Sequence, residues 1–555
     1  MHYHLIGIAG TAMGSLAGLL REAGHRVTGS DEGVYPPMST LLDELGIEYA
    51  RRFDPANLGP APAETAESEP GAGGDGGDRE GVGVGGTDVP DVVVVGNAIS
   101  RGNPELEAVL DRRLRYTSAA QVIKEELLLG RRVLAVAGTH GKTTTTALLA
   151  WLLESAGLAP SFLVGGVAEN FGTSFRLVDR AQSDLFVIEA DEYDTAYFDK
   201  GPKMWHYLPH VAVVTNMEFD HADIYRDDQA YRFAFSRFIN LVPGSGTLVA
   251  GWESPAVRKL ARRSFAPVES FGIPDDRAGA EAETGAGPGG AAGAAPGGAA
   301  RAGSGDGNVP PPTGEVRAAG AAEPAGFDPM LDHPRWTADG IDYGPDGTLF
   351  NVYHDGECLG DVVTPLTGAF NVRNCLAAIA AAHAVGAEWA GIVEGLRTFR
   401  SVARRMEVKG EARGVLVIDD FAHHPTAVRE TLAAVRQRHG DRLDTGRLVA
   451  VFEPRSYTAQ RREYQDPYRR ALGAADRVIL AGLFHPERYD DETGMDPDEL
   501  VADITMDGTP ADYLAETDAI VQRLVPELEA GDVVVFMSNG GFGGVQERLL
   551  EVLGR

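Results

Sequence analysis

Cysteine and positive charge are both scarce in this chain. The two cysteines, Cys358 and Cys375, lie in otherwise ordinary segments, so they give no basis for a disulfide framework or a cysteine metal site, and they favour a reducing compartment. The chain has 50 lysines and arginines and 81 aspartates and glutamates. The resulting formal net charge of −31 argues against binding nucleic acid or an anionic membrane through bulk electrostatics.

Long apolar runs are also lacking. No segment approaches the roughly 20 apolar residues that a membrane-spanning helix needs. The first residues, MHYHLIGIAG, have neither the basic region nor the long apolar run of a signal peptide. We therefore expect a cytoplasmic protein with no membrane insertion and no nucleic-acid partner.

Alternating strand-like and helix-like segments are what the chain does contain. At 555 residues it is too long for one core, so the alternation predicts an α/β fold of several domains. In residues 336–363, turns alternate with short polar–apolar runs, which predicts antiparallel strands. Two stretches, about 60–88 and about 275–326, are rich in Gly, Ala and Pro, and we predict that they are disordered insertions because they cannot bury enough apolar surface.

A glycine-rich turn at 138–144 is the strongest single motif. It follows an apolar run at 133–137 and precedes a helix-compatible apolar pattern, which is the context in which backbone N–H groups and a helix N-terminus bind phosphate. Lys142 supplies a mobile positive charge, and the Thr143 hydroxyl suits Mg²⁺. We predict a nucleotide triphosphate site formed by Gly138, Thr139, His140, Gly141, Lys142, Thr143 and Thr144.

A second glycine turn lies near the N-terminus, between a predicted strand at 2–8 and a predicted helix at 15–23. An acid, Asp31, follows the next strand, which is typical of nucleotide-binding βα units. The spacing is G-x-x-G-x-x-x-G rather than G-x-G-x-x-G. The turn alone therefore leaves a structural role and a ligand site equally open.

Polar side chains follow two predicted core strands at 184–190 and 210–216. Glu189 ends the first strand, and His221 follows the second. Because the carboxyl ends of parallel strands converge on the phosphate loop, a carboxylate there could hold Mg²⁺ and a histidine could hold a second ion. The alternative is an ordinary strand-end carboxylate and a helix-capping histidine.

Taken together, these motifs resemble the Mur ligases, the ATP-dependent peptide-bond-forming enzymes of bacterial cell-wall precursors. Val136 stands where the general phosphate loop has its first glycine, and the shortened G-T-x-G-K-T form is the family's own. Six motifs occur in the family's order, at 138–144, 189–191, 216–221, 368–374, 404–407 and 419–425.

The resemblance implies three α/β domains. They would be an N-terminal Rossmann-like UDP-sugar-binding domain (1–128), a central P-loop ATPase-like domain with a mostly parallel sheet (129–398) and a C-terminal Rossmann-like peptide-binding domain (399–555). It also implies ATP and Mg²⁺ as cofactors.

The resemblance implies roles for individual residues as well. The catalytic set would be Lys142, Glu189, His221 and Arg405, and the metal ligands Thr143, Glu189 and His221. Further ATP contacts would come from Asn371, Asn374, Arg405 and Asp420. The UDP-sugar would contact Gly10, Thr11, Ala12, Met13, Asn97, Ala98 and Ser100, and the peptide His424, Arg455 and Arg488. Without the resemblance, the two asparagines and Asp420 would be interpreted as helix caps, and Arg405 as part of a solvated charge pair. His424 would be interpreted as a loop residue, and Arg455 and Arg488 as surface residues.

The implied reaction joins a carboxylate and an amine at the expense of ATP. Phe235 stands where many members of the family carry a carbamylated lysine. That lysine is also absent from the subgroup that acts directly on UDP-N-acetylmuramate, which this chain resembles in this respect. Segments 35–39, 96–104, 189–194 with 198–200, 453–456 and 537–544 resemble ligases that recycle the tripeptide L-alanyl-γ-D-glutamyl-meso-diaminopimelate. The alternative is the ligase that adds L-alanine in de novo synthesis. In a different class, a P-loop regulatory protein would need neither the N-terminal turn nor the 419–425 segment, and the irregular first turn argues against a dehydrogenase.

Overall fold

The computed structural model describes residues 1–35, 38–60, 89–219, 224–274, 333–490 and 492–555. Within them, three principal sheets follow one another along the chain, and helices pack on their faces. The predicted three-part α/β fold is confirmed. The predicted disordered insertions lie almost entirely outside the described residues, as does His221.

The N-terminal sheet has five parallel strands in the order β3-β2-β1-β4-β5, which is the arrangement of a dinucleotide-binding unit. Its strands are β1 His2–Ile6, β2 Arg26–Ser30, β3 Glu48–Ala50, β4 Val92–Val95 and β5 Tyr116–Ser118. Its helices are α1 Thr11–Glu22, α2 Met38–Glu44, α3 Pro104–Asp111 and α4 Ala119–Val122.

Helix α1 begins four residues before the predicted start at Ser15. Gly10 is its extended N-cap, so the second half of the glycine turn already belongs to the helix. Gly14 lies inside that first part, where a side chain would collide with Met38, since a Cβ would come within 2.1 Å of Met38 Cε. Gly14 therefore belongs to the helix and not to the predicted turn, because it serves close packing and not chain reversal.

The central sheet has ten strands in the order β17-β16-β15-β14-β13-β12-β6-β9-β7-β8. The middle of the sheet is parallel, and β8, β16 and β17 are antiparallel to their neighbours, which confirms the antiparallel strands predicted at 336–363. The strands are β6 Arg132–Ala137, β7 Ser161–Ala168, β8 Thr173–Arg176, β9 Leu185–Glu189, β12 Pro209–Val214, β13 Thr247–Gly251, β14 Val268–Gly272, β15 Trp336–Gly344, β16 Gly347–His354 and β17 Glu357–Thr364. A separate hairpin consists of β10 Asp194–Ala196 and β11 Asp199–Pro202. The helices are α5 Lys142–Ser155, α6 Asp228–Ile239, α7 Pro255–Ala261, α8 Ala369–Ala384 and α9 Trp389–Thr398.

The C-terminal sheet has six strands in the order β18-β19-β23-β20-β21-β22, and only β18 is antiparallel. The strands are β18 Glu407–Ala412, β19 Val415–Asp420, β20 Leu448–Phe452, β21 Arg477–Ala481, β22 Ala511–Leu514 and β23 Val533–Met537. The helices are α10 Pro425–Arg438, α11 Gly440–Leu443, α12 Gln465–Leu472, α13 Pro497–Met506, α14 Thr517–Leu524 and α15 Val545–Gly554.

The register of the central sheet brings the candidate site together. Val136 of β6 pairs with Glu189 of β9, and Ala137 pairs with Val214 of β12. The carboxyl ends of three parallel strands therefore meet at the phosphate loop, as expected for an α/β ligand site. Among the described residues, none of the helices combines the length and the apolar character needed to cross a bilayer.

Candidate active site

The phosphate loop connects β6 to α5 and depends on two glycines. Gly138 has φ +136° and Gly141, the N-cap of α5, has φ +82°, a region that other residues rarely adopt. Space excludes side chains as well, because a Cβ at Gly141 would lie 2.4 Å from Asn374 Oδ1. Asn216 lies two residues after β12, the neighbour of β6, and its Oδ1 accepts the N–H of His140 at 2.9 Å, which holds the loop against the sheet.

Lys142 is held by the loop itself and by a buried acid. Its ammonium donates to Gly138 O at 2.7 Å and lies 2.9 Å from the fully buried carboxylate of Glu192. Burial acts to lower the pKa of Lys142, but Glu192 and nearby acids outweigh it and raise the pKa, so the lysine is a cation. The sequence pattern did not indicate a role for Glu192, although it lies three residues after Glu189.

Thr143 and Glu189 form a pair of oxygen donors beside Lys142. The Thr143 hydroxyl donates to Glu189 Oε1 at 3.0 Å, and the N–H of Gly165 donates to Glu189 Oε2 at 2.8 Å. Burial and the neighbouring Asp191 raise the pKa of Glu189, and Lys142 opposes them. A hydroxyl and a carboxylate at this spacing suit Mg²⁺, which prefers hard oxygen ligands, so these residues fit the expected ion.

Arg405 reaches this pair from the C-terminal side of the chain. Its Nη2 donates to Thr143 Oγ1 at 2.9 Å, and its guanidinium lies 4.6 Å from the ring centroid of Phe421. Burial lowers the pKa of Arg405. The flanking residues Arg404 and Met406 have φ of +62° and +53°, a conformation that costs about 1–2 kcal/mol per residue and is common at functional sites.

Asp420, predicted to contact ATP, lies buried behind Arg405. Its carboxylate accepts the N–H of Met406 at 2.8 Å, the N–H of Ala422 at 2.8 Å and the Thr431 hydroxyl at 3.0 Å. These bonds hold the segment that carries Arg405. A contact with nucleotide stays a prediction.

Asn371 and Asn374 are buried in the first turns of α8. Asn374 Nδ2 donates to Asn371 Oδ1 at 3.1 Å, and Asn371 Nδ2 donates to Thr367 O at 2.8 Å. The close approach of Asn374 to Gly141 brings α8 against the phosphate loop. The structure thus joins this predicted pair to the loop, 230 residues away in sequence.

His140 and His424 lie together, with ring centroids 4.9 Å apart. His424 is the N-cap of α10, where it accepts the N–H of Thr426. Between the histidines lies Glu218, 3.3 Å from His140 Nε2 and 3.7 Å from His424 Nδ1. Burial acts to raise the pKa of Glu218, but the two histidines and the Thr426 hydroxyl hold it at about 2. The sequence did not indicate this contact.

The predicted UDP-sugar residues lie at the corresponding edge of the N-terminal sheet. Most of them are exposed, either at the start of α1 or after β4, the neighbour of β1. Asp31, at the end of β2, accepts the N–H of Ala9 at 3.0 Å and so fixes the glycine turn. The exposed residues are Gly10, Thr11, Ala12, Asn97, Ala98 and Ser100, and Met13 is buried.

Arg455 and Arg488, the predicted peptide anchors, share an aromatic support. The guanidinium of Arg455 lies 3.9 Å from the ring centroid of Phe484, and that of Arg488 lies 5.7 Å from it. Arg488 also covers Tyr457 at 4.3 Å. Two cations that were 33 positions apart in the sequence therefore lie on one surface of the C-terminal unit.

The phosphate loop meets a carboxylate from its own sheet and an arginine from the segment just before the C-terminal sheet, which is the arrangement that an ATP-dependent ligase needs. Three domain descriptions match the chain: "Mur ligase family, catalytic domain" at 2–129, "Mur ligase middle domain" at 136–286 and "Mur ligase, glutamate ligase domain" at 404–540. The chain belongs to the Mur ligase family.

Relatives cover the whole chain. It is 37% identical over 554 residues to the UDP-N-acetylmuramate–L-alanyl-γ-D-glutamyl-meso-2,6-diaminoheptandioate ligase of Haemophilus influenzae, covering 100% of this chain and 99% of that protein. It is 32% identical to the UDP-N-acetylmuramate–L-alanine ligase of a Roseiflexus species, with 100% and 99% covered. The crystal structure of a murein peptide ligase from Psychrobacter arcticus matches with a TM-score of 0.65 and 32% identity, over 100% of this chain and 99% of that one.

Proposed function

We propose that this protein joins the tripeptide L-alanyl-γ-D-glutamyl-meso-diaminopimelate to the lactyl carboxylate of UDP-N-acetylmuramate, with ATP converted to ADP and phosphate. The observation that carries this proposal is the 37% identity over the full chain to a ligase named for these substrates. Identity to a ligase named for L-alanine is lower, at 32%. The reaction belongs to the recycling of peptidoglycan, which we propose takes place in the cytoplasm.

In the proposed reaction, the lactyl carboxylate attacks the γ-phosphorus of ATP and becomes an acyl phosphate, while the bond from that phosphorus to the bridging oxygen breaks and ADP leaves. The amine of the tripeptide's alanine then attacks the acyl carbon, and the tetrahedral intermediate loses phosphate and the amine proton to give the amide. Because the phosphates, the carboxylate and the peptide are anionic, the protein must supply cations and N–H dipoles where charge develops.

The phosphate loop supports this chemistry through Lys142. The lysine is a cation, and its ammonium donates a hydrogen bond to Gly138 O within the phosphate loop. We propose that it binds the β- and γ-phosphates. Thr143 and Glu189 would hold Mg²⁺, which supplies charge neutralisation for the transferring phosphoryl group when bound. His221 would hold a second ion, in agreement with its position in the family motif.

Arg405 completes the proposed site from the C-terminal unit. Its contact with Thr143 means that the segment bearing Arg405 and the phosphate loop lie together in this arrangement. We propose that Arg405 stabilises the charge on the transferring phosphoryl group. The Asn371–Asn374 pair would border the nucleotide, and Gly10 to Met13, with Asn97, Ala98 and Ser100, would bind the UDP-sugar.

The C-terminal unit would bind the peptide. Guanidinium groups bind carboxylates with two parallel hydrogen bonds, and the tripeptide carries several carboxylates. Arg455 and Arg488, supported on Phe484, offer two such groups on one surface. We propose that they bind the carboxylates distal to the reacting amine, and that His424 lies closer to the phosphate loop.

Coupled measurement of ADP release tests the function directly. We expect release to require both UDP-N-acetylmuramate and the tripeptide, with kcat/KM for the tripeptide well above that for free L-alanine. Preferred use of L-alanine would replace the recycling function with the biosynthetic one. ADP release that needs neither substrate would instead indicate a P-loop ATPase without ligase chemistry.

A further inference from the structure

Three potential metal ligands converge from separate segments beside the phosphate loop. His140 belongs to the loop, Glu218 follows β12, and His424 precedes α10. Their ligand atoms all lie within 4.8 Å of one another, and Glu218 Oε2 is 3.3 Å from His140 Nε2 and 3.7 Å from His424 Nδ1. An ion about 2.1 Å from each ligand would space them roughly 3–3.5 Å apart. Small side-chain rotations would therefore bring the three ligand atoms to coordination distance of one ion.

The hydrogen bonds of His424 and Glu218 are consistent with a cation between them. His424 Nδ1 accepts the N–H of Thr426 over a long 3.4 Å, and a metal ion would take over the single lone pair that this weak bond uses. The oxygen it faces, Glu218 Oε2, also accepts the Thr426 hydroxyl at 2.8 Å. Two acceptors that face each other repel unless a proton or a metal ion lies between them. The Thr426 hydroxyl would then orient the ligating carboxylate.

We propose that His140, Glu218 and His424 form a binding site for a divalent transition-metal ion, with Zn²⁺ as the occupant. Two imidazoles and one carboxylate suit Zn²⁺, whereas Mg²⁺ prefers oxygen ligands alone. The site is distinct from the Thr143–Glu189 pair, which offers only oxygens. Since the side chain of Glu218 is 40% exposed, water can reach the ion and occupy a remaining position.

The ligands come from two of the three sheet units, which gives the site a structural consequence. His140 and Glu218 follow strands of the central sheet, and His424 follows β19 of the C-terminal sheet. A bound ion would tie the two units together beside the loop that carries Lys142. This inference goes beyond the proposed ligase function and does not depend on it.

Cobalt(II) is the probe, because it replaces Zn²⁺ and absorbs in the visible range when imidazole binds. The full-length, nucleotide-free protein is titrated in excess Mg²⁺, which occupies all-oxygen sites. We expect one Co²⁺ per chain and its displacement by Zn²⁺. The variants His424→Asn and Glu218→Gln should each weaken binding by more than about 100-fold, since even outer contacts of metal sites change affinity 10–100-fold. Asparagine keeps an acceptor for the helix N-terminus.

The matched control is His423→Asn, one residue away. His423 Nδ1 lies 3.0 Å from Phe421 O, outside the cluster, so this variant should bind Co²⁺ as the wild type does. The control matters because the chain has 14 histidines that could bind metal adventitiously. Equal Co²⁺ affinity in the His423 and His424 variants would overturn the proposal.

A measurement on the wild type alone covers the case in which a variant fails to fold. X-ray absorption of the protein loaded with one Zn²⁺ counts imidazole ligands from their outer-shell scattering. We expect two imidazoles and oxygen ligands. One imidazole or none would overturn the site, whatever the ligase assay gives.

Discussion

Replacing Lys142 with methionine tests the electrostatics of the phosphate loop. The substitution keeps the length of the side chain but removes the ammonium that lies 2.9 Å from Glu192. The side chains of Lys142 and Glu192 are 10% and 0% exposed. The variant therefore leaves a buried carboxylate without its cation, which typically costs about 3–5 kcal/mol.

The second substitution, Glu192→Gln, should restore stability without restoring function. A buried ion pair can often be replaced as a whole at little cost, whereas removal of one partner is expensive. In the Lys142→Met background, Glu192→Gln should therefore recover at least about half of the lost free energy of unfolding. ADP release should be abolished in the single Lys142 variant and in the double variant, because both lack the Lys142 ammonium that we propose binds the β- and γ-phosphates.

Tryptophan fluorescence is the appropriate assay for the free energy of unfolding. The chain has five tryptophans, and all lie between 151 and 389, so the signal reports on the central unit. With a urea m-value of about 2 kcal/mol/M, Lys142→Met should lower the midpoint by roughly 1.5–2.5 M. Lys200→Met is the control, because Lys200 pairs with Asp194 but is 68% exposed, and its loss should cost no more than about 1 kcal/mol.

Two results would refute this reasoning. If the stability losses of Lys142→Met and Glu192→Gln simply added, the two groups would not be coupled as the 2.9 Å contact requires. If the double variant released ADP at the wild-type rate, Lys142 would have no part in binding the phosphates.

Three further outcomes are expected. Gly141→Ala should weaken ATP binding, measured by titration calorimetry, more than tenfold, because the new Cβ would lie 2.4 Å from Asn374 Oδ1. The control Gly157→Ala should bind ATP as the wild type does, since Gly157 also has a positive φ but no atom within 4 Å of its Cβ position. Arg455→Lys should raise the KM for the tripeptide about tenfold and leave that for UDP-N-acetylmuramate unchanged, because it loses the planar fork; an equal rise in both would contradict peptide binding. Burial, with two nearby arginines, lowers the pKa of His439 from 6.5 to about 4, so unfolding favours proton uptake and stability should fall as pH drops from 6.5 to 4. His439→Gln should flatten the dependence of stability on pH between 6.5 and 4, measured by scanning calorimetry. An unchanged slope would exclude His439 as the source of that dependence.

The sequence alone determined the local features of the fold. Apolar runs at 184–190 and 210–216 predicted the core strands that the structure has as β9 and β12, because strands of a parallel sheet are covered on both faces. The phosphate loop was predictable for a similar reason, since its glycines and Lys142 act within a few residues of one another. Helix starts were less accurate, since α1 begins at Thr11 and includes Gly14, which the glycine pattern placed in the turn.

Family motifs extended the sequence analysis to distant residues but gave them no geometry. Arg405 was expected near ATP, and the structure brings its guanidinium to Thr143, 262 positions earlier. Asp420, also expected to contact ATP, accepts backbone N–H groups that hold this segment in place, and its contact with nucleotide stays a prediction. A motif marks which residues matter, but the direction of a side chain depends on the neighbours that its backbone meets.

Only the tertiary structure decided which charges face each other. Glu192 pairs with Lys142, and Glu218 lies between His140 and His424, although no sequence periodicity links these positions. Strand order and register set such contacts, because they determine which strand ends share an edge. Hydrophobic patterns specify that a strand is buried, but they are the same for any order of strands. The partners of the phosphate loop therefore became visible only in the folded chain.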